Sequence, residues 1–367
     1  MVSNRVGPIA LVYGTRPQVI KASRLLPALA RLGPVVAVDS GQHYDFELNG
    51  LLYRQLGVPP ADRYLDVGSG PLAEQTAAIM TRTAAIYREF APRAVVVIGD
   101  TITTLGAGLA AAQQRIPLVH VEAGLRVADS QMAEEIARRA IDHIAQVLCA
   151  PSARSGSRLE AEGVGGAVEV TGDIARDVLD AAKAAGGQPL ASRAWPIDLA
   201  RPFVLATLHR AELVDSPADF RDALEGLAAI RLPVIWPVHP RARTNLDRFD
   251  LAPQIGPNIH LFEPLGYFET LALVEAAAVV VTDSGGVQRE SYWLGTPCIT
   301  VRTETEWTET VDVGANRLCP PGRVAGTLAA AINEATSRSV GWSRDAFGSG
   351  DAASRIGAAI SRHLGPR

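Results

Sequence analysis

Cysteine, aromatic residues and long apolar runs are scarce in this chain of 367 residues, where aromatic side chains make up only 5%. The three cysteines, Cys149, Cys298 and Cys319, lie far apart, with no CxxC pair and no histidine at ligand spacing. That pattern excludes a disulfide framework and a structural zinc site. The longest apolar stretches, residues 94–98 and 276–281, are far shorter than the roughly 18 residues of a membrane-spanning helix.

An excess of one charge is also lacking, because 35 Lys and Arg stand against 39 Asp and Glu and leave a net charge of -4. No basic field attracts a nucleic-acid backbone or an anionic membrane, so neither partner is predicted. Residues 1–9 also lack the apolar core of a signal peptide. Together these absences predict a cytoplasmic protein and name no reaction.

What the sequence does contain is a regular alternation of short apolar runs and longer segments with helical spacing. At roughly 100–200 residues per domain, the length predicts two domains. Alternation of this kind predicts an α/β fold whose parallel sheets are covered by helices on both faces. In the first half the predicted strands are residues 8–13, 35–39, 94–98, 118–121, 147–149 and 168–170.

A second series of predicted strands follows a stretch rich in Gly and Pro, residues 186–201, which we interpret as a linker. These strands are residues 203–207, 233–237, 259–262, 279–282 and 298–301. The sequence therefore predicts two Rossmann-like domains, residues 1–185 and 202–349, facing a ligand-binding cleft. Residues 350–367 are predicted to hold a terminal helix that packs back on the N-terminal domain.

Charged residues follow the first predicted strand, where Gly14-Thr-Arg-Pro-Gln-Val-Ile-Lys21 predicts the start of a helix. Thr15 and Gln18 fit a capping box, and Pro17 suits the first turn. The free N–H groups of such a helix start form an anion site, to which Arg16 and Lys21 add two cations. One glycine is not a dinucleotide fingerprint.

Carboxylates follow the next buried strands of the same sheet. Asp100 comes directly after one strand, and His120, Glu122 and Arg126 lie at the end of the next. Glu134 begins a helix twelve residues beyond Glu122, next to Glu135. Clustered carboxylates raise one another's pKa values, so this set suits general acid and base work near neutral pH. Helix capping is the structural alternative for Asp100 and Glu134.

The second half presents groups that suit a phosphate. His209 and Arg210 end its first strand, and His239 ends the second. Thr282-Asp-Ser-Gly-Gly-Val-Gln-Arg-Glu-Ser291 predicts a strand, turn and helix in which Ser284, Gly285 and Gly286 bring backbone N–H groups close to an anion. Glu290 lies one turn further on and suits sugar or ribose hydroxyls, while Arg302 follows the next strand.

Together these residues predict acid and base chemistry on a diphosphate ligand such as a nucleotide sugar. The sequence shows no Walker A motif, dinucleotide fingerprint or metal set, so no cofactor or metal is predicted. Group transfer, hydrolysis and isomerisation all remain open at this point.

Seven motifs occur in an order typical of one family. The sequence resembles the non-hydrolysing UDP-N-acetylglucosamine 2-epimerases over roughly residues 11–318. The motifs are Gly14-Thr-Arg-Pro-Gln-Val-Ile-Lys21, Gly41-Gln-His43, Gly99-Asp-Thr101, His120-Val-Glu-Ala-Gly-Leu-Arg126, Thr207-Leu-His-Arg210, Thr282-Asp-Ser-Gly-Gly-Val-Gln288 and Thr305-Glu-Trp-Thr-Glu-Thr310.

The resemblance implies a two-domain glycosyltransferase-B fold, a homodimer, and interconversion of UDP-GlcNAc and UDP-ManNAc through elimination and re-addition of UDP. By residue, it implies that Asp100, Glu122 and Glu134 are the acid and base set. The groups that it implies for substrate or UDP binding are Arg16, Lys21, His209, Ser284, Gly285, Gly286, Glu290 and Arg302. His209 is also predicted to act in catalysis, because it would stabilise the departing diphosphate; Arg126, Arg210 and His239 are predicted at the binding site.

Departures from the family pattern bear on the substrate. Arg289 stands within the segment that usually reads Gln-Glu-Glu, and Trp307 within the usual Glu-Arg-Pro-Glu. The Trp307 loop and the short spacing from Glu122 to Glu134 resemble the branch that includes epimerases of UDP-2,3-diacetamido-2,3-dideoxy-glucuronic acid. A glycosyltransferase of the same fold and a non-catalytic nucleotide-sugar sensor are further alternatives. Some members are regulated by UDP-GlcNAc through residues near Gln42, His43 and His239.

Overall fold

A computed structural model of the chain describes residues 7–42, 53, 55–186, 190, 193–337 and 341–365. The chain divides into two compact units. The first unit contains Met1–Ala181 and Asp345–Arg367, and the second contains Ala182–Arg344.

The first unit is a parallel sheet of seven strands in the order β3-β2-β1-β4-β5-β6-β7. Its strands are β1 (Ile9–Tyr13), β2 (Val35–Asp39), β3 (Arg63–Tyr64), β4 (Ala94–Ile98), β5 (Leu118–Val121), β6 (Val147–Ala150) and β7 (Ala167–Val170). The helices that alternate with them are α1 (Arg16–Ala30), α2 (Leu72–Phe90), α3 (Ile102–Gln113), α4 (Ala133–Ile144), α5 (Ala153–Glu162) and α6 (Ile174–Ala184), whose last turn crosses the boundary at Ala181.

The two central strands of this sheet, β1 and β4, are apolar and buried at every position. Strands that are apolar at every position are typical of parallel sheets, because helices cover both faces of such sheets. The strand order reverses direction between β1 and β4. In open α/β sheets, ligands bind beyond the carboxyl ends of strands at such a switch point. Gly14 and Gly99 follow those two strand ends.

The second unit repeats this design with six parallel strands in the order β10-β9-β8-β11-β12-β13. Its strands are β8 (Val204–Thr207), β9 (Val234–Pro237), β10 (Ile259–Phe262), β11 (Val279–Thr282), β12 (Cys298–Thr300) and β13 (Asn316–Leu318). Its helices are α7 (Ala211–Val214), α8 (Pro217–Ala228), α9 (Pro240–Arg248), α10 (Tyr267–Ala276), α11 (Gly285–Leu294), α12 (Thr308–Asp312) and α13 (Val324–Ser337). Here the switch point lies between β8 and β11.

Each unit has its own apolar core. In the second unit, Trp236 and Phe220 meet edge to face at 6.1 Å. Residues of the predicted linker pack against a second apolar cluster of this unit: Trp195 lies in a tilted contact with Phe262 at 5.1 Å, and Ile197 packs against the same cluster.

The C-terminal helix α14 (Ala352–Leu364) belongs to the first unit. Asp177 caps its start by accepting the backbone N–H groups of Ala352 at 3.0 Å and Ala353 at 2.9 Å. Ile356 and Ile360 are fully buried along the helix. At its end, His363 contacts Glu169 of β7 at 2.7 Å.

The α/β fold class with two Rossmann-like units is confirmed, and each predicted strand is present to within about one residue at either end. The sequence missed β3 and β13, because two residues in one and an Asn-Arg-Leu stretch in the other give no apolar run. None of the helices in the described ranges combines the length and apolar character that crossing a bilayer would require.

Candidate active site

The turn from β1 to α1 approaches its neighbours too closely for any residue but glycine at position 14. A Cβ on Gly14 would lie 1.7 Å from Ser40 Oγ. Gln18 Oε1 accepts the N–H groups of Gly14 at 2.9 Å and Thr15 at 3.2 Å, and its amide donates to Ile98 at the end of β4. Gln18 thus ties both strands of the switch point together.

Thr15 and Gln18 occupy the two positions of the predicted capping box at the start of α1. Gln18 plays its part, but the buried Thr15 hydroxyl has no hydrogen-bond partner in the described part of the chain. An unsatisfied buried hydroxyl is costly, and it lies here beside N–H groups that a helix start leaves unpaired. This combination favours an anionic or polar ligand at the first turn of α1, where the half-buried Arg16 also lies.

Lys21 and Glu122 form a buried ion pair in the first unit, with 2.5 Å between Nζ and Oε2. Glu122 adopts a φ of 69°, a left-handed conformation that is strained for a residue with a side chain. Backbone strain of this kind persists where the surrounding structure fixes it, and it is concentrated at functional sites. Glu122 Oε2 also lies against Gly99, directly before Asp100.

Asp100 has its own cation, because the Arg138 guanidinium of α4 binds its carboxylate. Arg138 also bonds Glu135 at 2.9 Å, and the fully buried Glu135 accepts from Arg139 and from the Val127 N–H. The sequence predicted Asp100, Glu122 and Glu134 as a cluster of carboxylates. In the structure Lys21 pairs with Glu122 and Arg138 with Asp100, while Glu134 is exposed in the first turn of α4.

The segment that carries Glu122 is held by Asp142 of α4. Asp142 contacts His120 Nδ1 at 2.6 Å, the Gly124 N–H at 3.1 Å and Arg126 Nη1 at 2.7 Å. Burial by itself would raise the pKa of Asp142, but His120 and Arg126 hold that pKa below its ordinary value. His120 Nε2 in turn contacts the Gly99 carbonyl at 2.7 Å, which links the turns before Asp100 and Glu122.

Arg126, predicted to contact the substrate, is buried against three carboxylates, those of Asp142, Glu162 and, at 3.8 Å, Glu135. Besides Asp142 it binds Glu162, at 3.0 Å through Nε and 2.6 Å through Nη2. This geometry places Arg126 in the support of the Glu122 segment. Sequence reasoning passed over Asp142 and Arg138 because both read as ordinary charges of an amphipathic helix.

In the second unit the decisive contact joins His209 and Asp283. Asp283 Oδ2 accepts the N–H groups of His209 and Arg210, both at 2.7 Å, and Oδ1 lies 3.0 Å from His209 Nδ1. Burial by itself would raise the pKa of Asp283, but His209 and the two N–H groups hold that pKa below its ordinary value. The aspartate thus joins the ends of the two switch-point strands.

The predicted phosphate cradle forms the start of α11. Ser284 is the N-cap residue, and its N–H donates to Thr282 Oγ1 at 3.0 Å, so that group is engaged within the turn. Gly285 and Gly286 begin the helix, where N–H groups have no partner inside it. A Cβ on Gly285 would lie 3.0 Å from Glu306 Oε1 and 3.1 Å from Trp307 Nε1, so a larger residue here would have to displace those side chains. Glu290 is buried further along the helix.

The loop after β12 packs against this cradle. Arg302 pairs with Glu306 at 2.8 Å, and both side chains are buried. The Arg289 guanidinium lies 3.9 Å above the centre of the Trp307 ring. The two departures from the family pattern, Arg289 and Trp307, therefore contact each other directly.

His239 is exposed and caps α9 through Nδ1, while its ring lies 5.4 Å from that of His209. Gln42, predicted near a regulatory site, accepts the Thr103 hydroxyl at 2.9 Å, and His43 lies outside the described residues. Across the described ranges, no group of three His, Cys, Asp or Glu side chains is placed to hold a metal ion.

Comparison with known proteins decides the family. The family model for UDP-N-acetylglucosamine 2-epimerase matches residues 33–361. The chain belongs to this epimerase family. It is therefore an isomerase, and the resemblance found in its motifs is confirmed.

Two relatives of this epimerase show how far the likeness extends. UDP-2,3-diacetamido-2,3-dideoxy-D-glucuronate 2-epimerase of Pseudomonas aeruginosa is 34% identical over 95% of this chain and 98% of its own. The crystal structure of Methanocaldococcus jannaschii UDP-GlcNAc 2-epimerase, in complex with UDP-GlcNAc and UDP, is 34% identical with a TM-score of 0.89. That comparison covers 97% of this chain and 99% of the other.

The epimerase also shares its fold with a glycosyltransferase. The calicheamicin glycosyltransferase CalG4 matches 99% of this chain and 96% of its own, with a TM-score of 0.55 and 14% identity. At that identity the likeness concerns the fold alone. It confirms the glycosyltransferase-B fold class that the motifs implied.

Proposed function

We propose that this epimerase interconverts UDP-GlcNAc and UDP-ManNAc without hydrolysing them. The observation that carries the proposal is the strained Glu122, buried beside Lys21 and next to Asp100 in the first unit. A carboxylate in contact with an ammonium group and fixed by a rigid network behind it is suitably placed for proton transfer. The UDP-GlcNAc complex of the M. jannaschii relative supports the same ligand class.

The proposed reaction breaks and remakes two bonds. A carboxylate removes the proton from sugar C2, the electron pair forms a C1=C2 double bond, and the C1–O bond breaks, so that its electron pair leaves with UDP. The products are UDP and a 2-acetamidoglucal. Protonation of C2 on the opposite face and return of the UDP oxygen to C1 give the epimer. Asp100, Glu122 and Glu134 are the proposed acid and base set.

Second-unit residues are proposed to hold the nucleotide. Gly285 and Gly286 supply N–H groups at the start of α11, His209 donates to the diphosphate, and Glu290 accepts ribose hydroxyls. Arg16, Lys21 and Arg302 are proposed as additional cations at the ligand. Retaining UDP during the elimination is essential, because UDP that escapes leaves the glucal without a partner.

A second candidate substrate is UDP-2,3-diacetamido-2,3-dideoxy-glucuronic acid. The P. aeruginosa relative supports it by name, and the Arg289 and Trp307 pair beside Gly285 supports it as a local departure from the usual family pattern. The first candidate remains the main proposal, since the family model and the UDP-GlcNAc complex of the M. jannaschii relative support it.

The test is incubation with each UDP sugar in D2O, followed by NMR and chromatography. We expect deuterium at C2 of both epimers of UDP-GlcNAc, and no free ManNAc. Exchange at C2 of UDP-2,3-diacetamido-2,3-dideoxy-glucuronic acid but not of UDP-GlcNAc would support the second candidate instead of the first. Release of free ManNAc and UDP would indicate a hydrolysing enzyme, and absence of any exchange would contradict the proposal.

A further inference from the structure

We infer that Asp283 is a positioning residue, which fixes the His209 ring with a proton on Nδ1 and so presents Nε2 to the diphosphate. The inference rests on the proposed function, since it takes His209 to be a diphosphate-binding group. Asp283 itself touches no ligand in this scheme and acts through the histidine.

The hydrogen-bond pattern around Asp283 sets the tautomer of His209. The aspartate is fully buried, and its Oδ2 already accepts two backbone N–H groups at 2.7 Å. Oδ1 faces His209 Nδ1 at 3.0 Å. Oδ1 forms no hydrogen bond among the described residues, and an ionised carboxylate only accepts hydrogen bonds, so a proton on the nearby Nδ1 is what would satisfy this buried oxygen. The lowered pKa of Asp283 agrees with an ionised carboxylate.

With Nδ1 committed to Asp283, Nε2 is the ring nitrogen left for a ligand. The His209 side chain is 36% exposed, in contrast to its fully buried partner. A carboxylate behind an imidazole orients the ring and stabilises the imidazolium, which is the form that donates from Nε2 with a positive charge. Such a donor suits the negative charge that develops on departing UDP.

Asp283 lies next to both second-unit segments that are proposed to bind the diphosphate, the end of β8 and the start of α11. Strands β8 and β11 are neighbours, with Thr207 paired to Thr282, and the two threonine hydroxyls lie 2.6 Å apart. Asp283 follows Thr282 and directly precedes the Ser284 to Gly286 cradle. Asp283 therefore fixes His209 relative to the first turn of α11. It is joined to that turn through the peptide bond to Ser284, and it accepts hydrogen bonds from the N–H groups of His209 and Arg210.

A simpler role would be that Asp283 only caps the turn of residues 209–210. The substitution Asp283→Asn separates the two roles, because the amide oxygen still accepts both N–H groups while the NH2 group faces Nδ1. That contact turns Nδ1 into an acceptor and moves the remaining proton to Nε2. The turn keeps its cap, and the histidine loses its carboxylate.

The matched control is Asp222→Asn in the same unit. Asp222 accepts the N–H groups of Val324 at 2.7 Å and Ala325 at 3.2 Å, so it too is an aspartate that caps two backbone groups. Its capping contacts are to backbone groups, whereas Asp283 also faces an imidazole ring. This variant therefore reports the effect of losing a capping carboxylate by itself.

The first measurement is the imidazole tautomer by long-range 1H–15N NMR, with His209→Gln used to assign the signal. We expect a protonated Nδ1 in the wild type, a proton on Nε2 alone in Asp283→Asn, and no change in Asp222→Asn. A wild-type His209 whose Nδ1 carries no proton would overturn the inference without any variant. This result does not depend on epimerase activity.

The second measurement is UDP affinity by calorimetry, together with steady-state kinetics. Loss of charge assistance at Nε2 should weaken UDP binding about tenfold in Asp283→Asn. We expect kcat to fall about a hundredfold, more than KM rises, because the interaction strengthens as charge develops on UDP. In a His209→Gln background the same substitution should change either quantity less than about twofold.

If Asp283→Asn lowered UDP affinity and kcat equally in the wild-type and His209→Gln backgrounds, Asp283 would act on the turn, which would contradict the inference. An unchanged His209 tautomer in Asp283→Asn would also contradict it. If Asp283→Asn does not fold, the wild-type tautomer still decides. If the wild type binds UDP as described but exchanges no C2 proton, the proposed function fails and the positioning role stands.

Discussion

At the scale of single residues, each of two proposed catalytic carboxylates has its own cation. Glu122 pairs with Lys21, and Asp100 with Arg138. Their neighbours on α4 differ in role, because Glu134 is exposed whereas Glu135 is buried and bonded to two arginines.

Substitution of Glu134 and Glu135 separates catalysis from stability. Glu134→Gln should lower turnover by about 10² to 10⁴ with a stability change under about 0.5 kcal/mol, since it removes an exposed acid. Glu135→Gln should cost about 3 kcal/mol of unfolding free energy, because it removes a fully buried carboxylate that pairs with Arg138 and Arg139. Epimerisation kinetics measure the change in turnover, and urea unfolding followed by circular dichroism measures the change in unfolding free energy. Equal stability losses would contradict the assignment.

The Arg289 and Trp307 contact should appear as an energetic coupling. A guanidinium over a tryptophan ring stabilises by about 0.5–2 kcal/mol, so Trp307→Leu should cost about 1 kcal/mol more with Arg289 present than in Arg289→Gln. A double-mutant cycle by urea unfolding, followed through the remaining tryptophans, measures this coupling. Additive losses would show that the two residues are only neighbours.

At the scale of elements, α4 organises the ends of two strands. Its Asp142 holds His120, Gly124 and Arg126, and its Arg138 holds Asp100 after β4. The acid residues after β4 and β5 thus depend on one helix for their positions. Sequence patterns predicted α4 by its first turn of acids, but not this role of its buried face.

Removal of the Asp142 charge should destabilise the first unit in a pH-dependent way. Asp142→Asn should cost about 3 kcal/mol at pH 7, because it breaks a fully buried charge network. The folded pKa of Asp142 is lowered, so its stabilisation is present above the ordinary value of 3.8 and is lost as pH falls through the folded pKa.

The stability difference between wild type and Asp142→Asn should therefore narrow in acid. Hydrogen exchange of residues 118–126 and circular dichroism between about pH 7 and pH 3 measure it. The exposed Asp129→Asn is the control and should show little difference at any pH. A difference that widens as the pH falls below 3.8 would contradict the lowered pKa of Asp142.

At the scale of the whole molecule, the chain leaves the first unit at residue 181 and returns to it at residue 345. Helix α14 completes the first unit through buried isoleucines and through the cap that Asp177 provides. The five tryptophans, residues 195, 236, 293, 307 and 342, all lie in the second unit, so their fluorescence reports that unit alone.

Truncating a buried side chain of α14 should therefore affect one unit and spare the other. Ile360→Ala should cost the first unit about 2–5 kcal/mol through loss of burial and a residual cavity. Arg355→Ala, on the same helix and paired at an exposed site with Asp351, should cost under about 1 kcal/mol. In Ile360→Ala, the urea midpoint followed by circular dichroism should fall, while the midpoint followed by tryptophan fluorescence should not change. An equal fall in both midpoints would contradict the division of the chain into two units.

The sequence alone determined the fold class, the alternation of strands and helices and the strand ends that carry polar groups, because apolar periodicity and glycine turns are local properties. It also determined the family through ordered motifs. Only the tertiary structure decided which charges meet. That Lys21 pairs with Glu122, that Arg126 supports a loop, and that Asp283 contacts His209 all follow from contacts across strand ends, far apart in the chain. Packing creates these neighbours, and no local pattern encodes them.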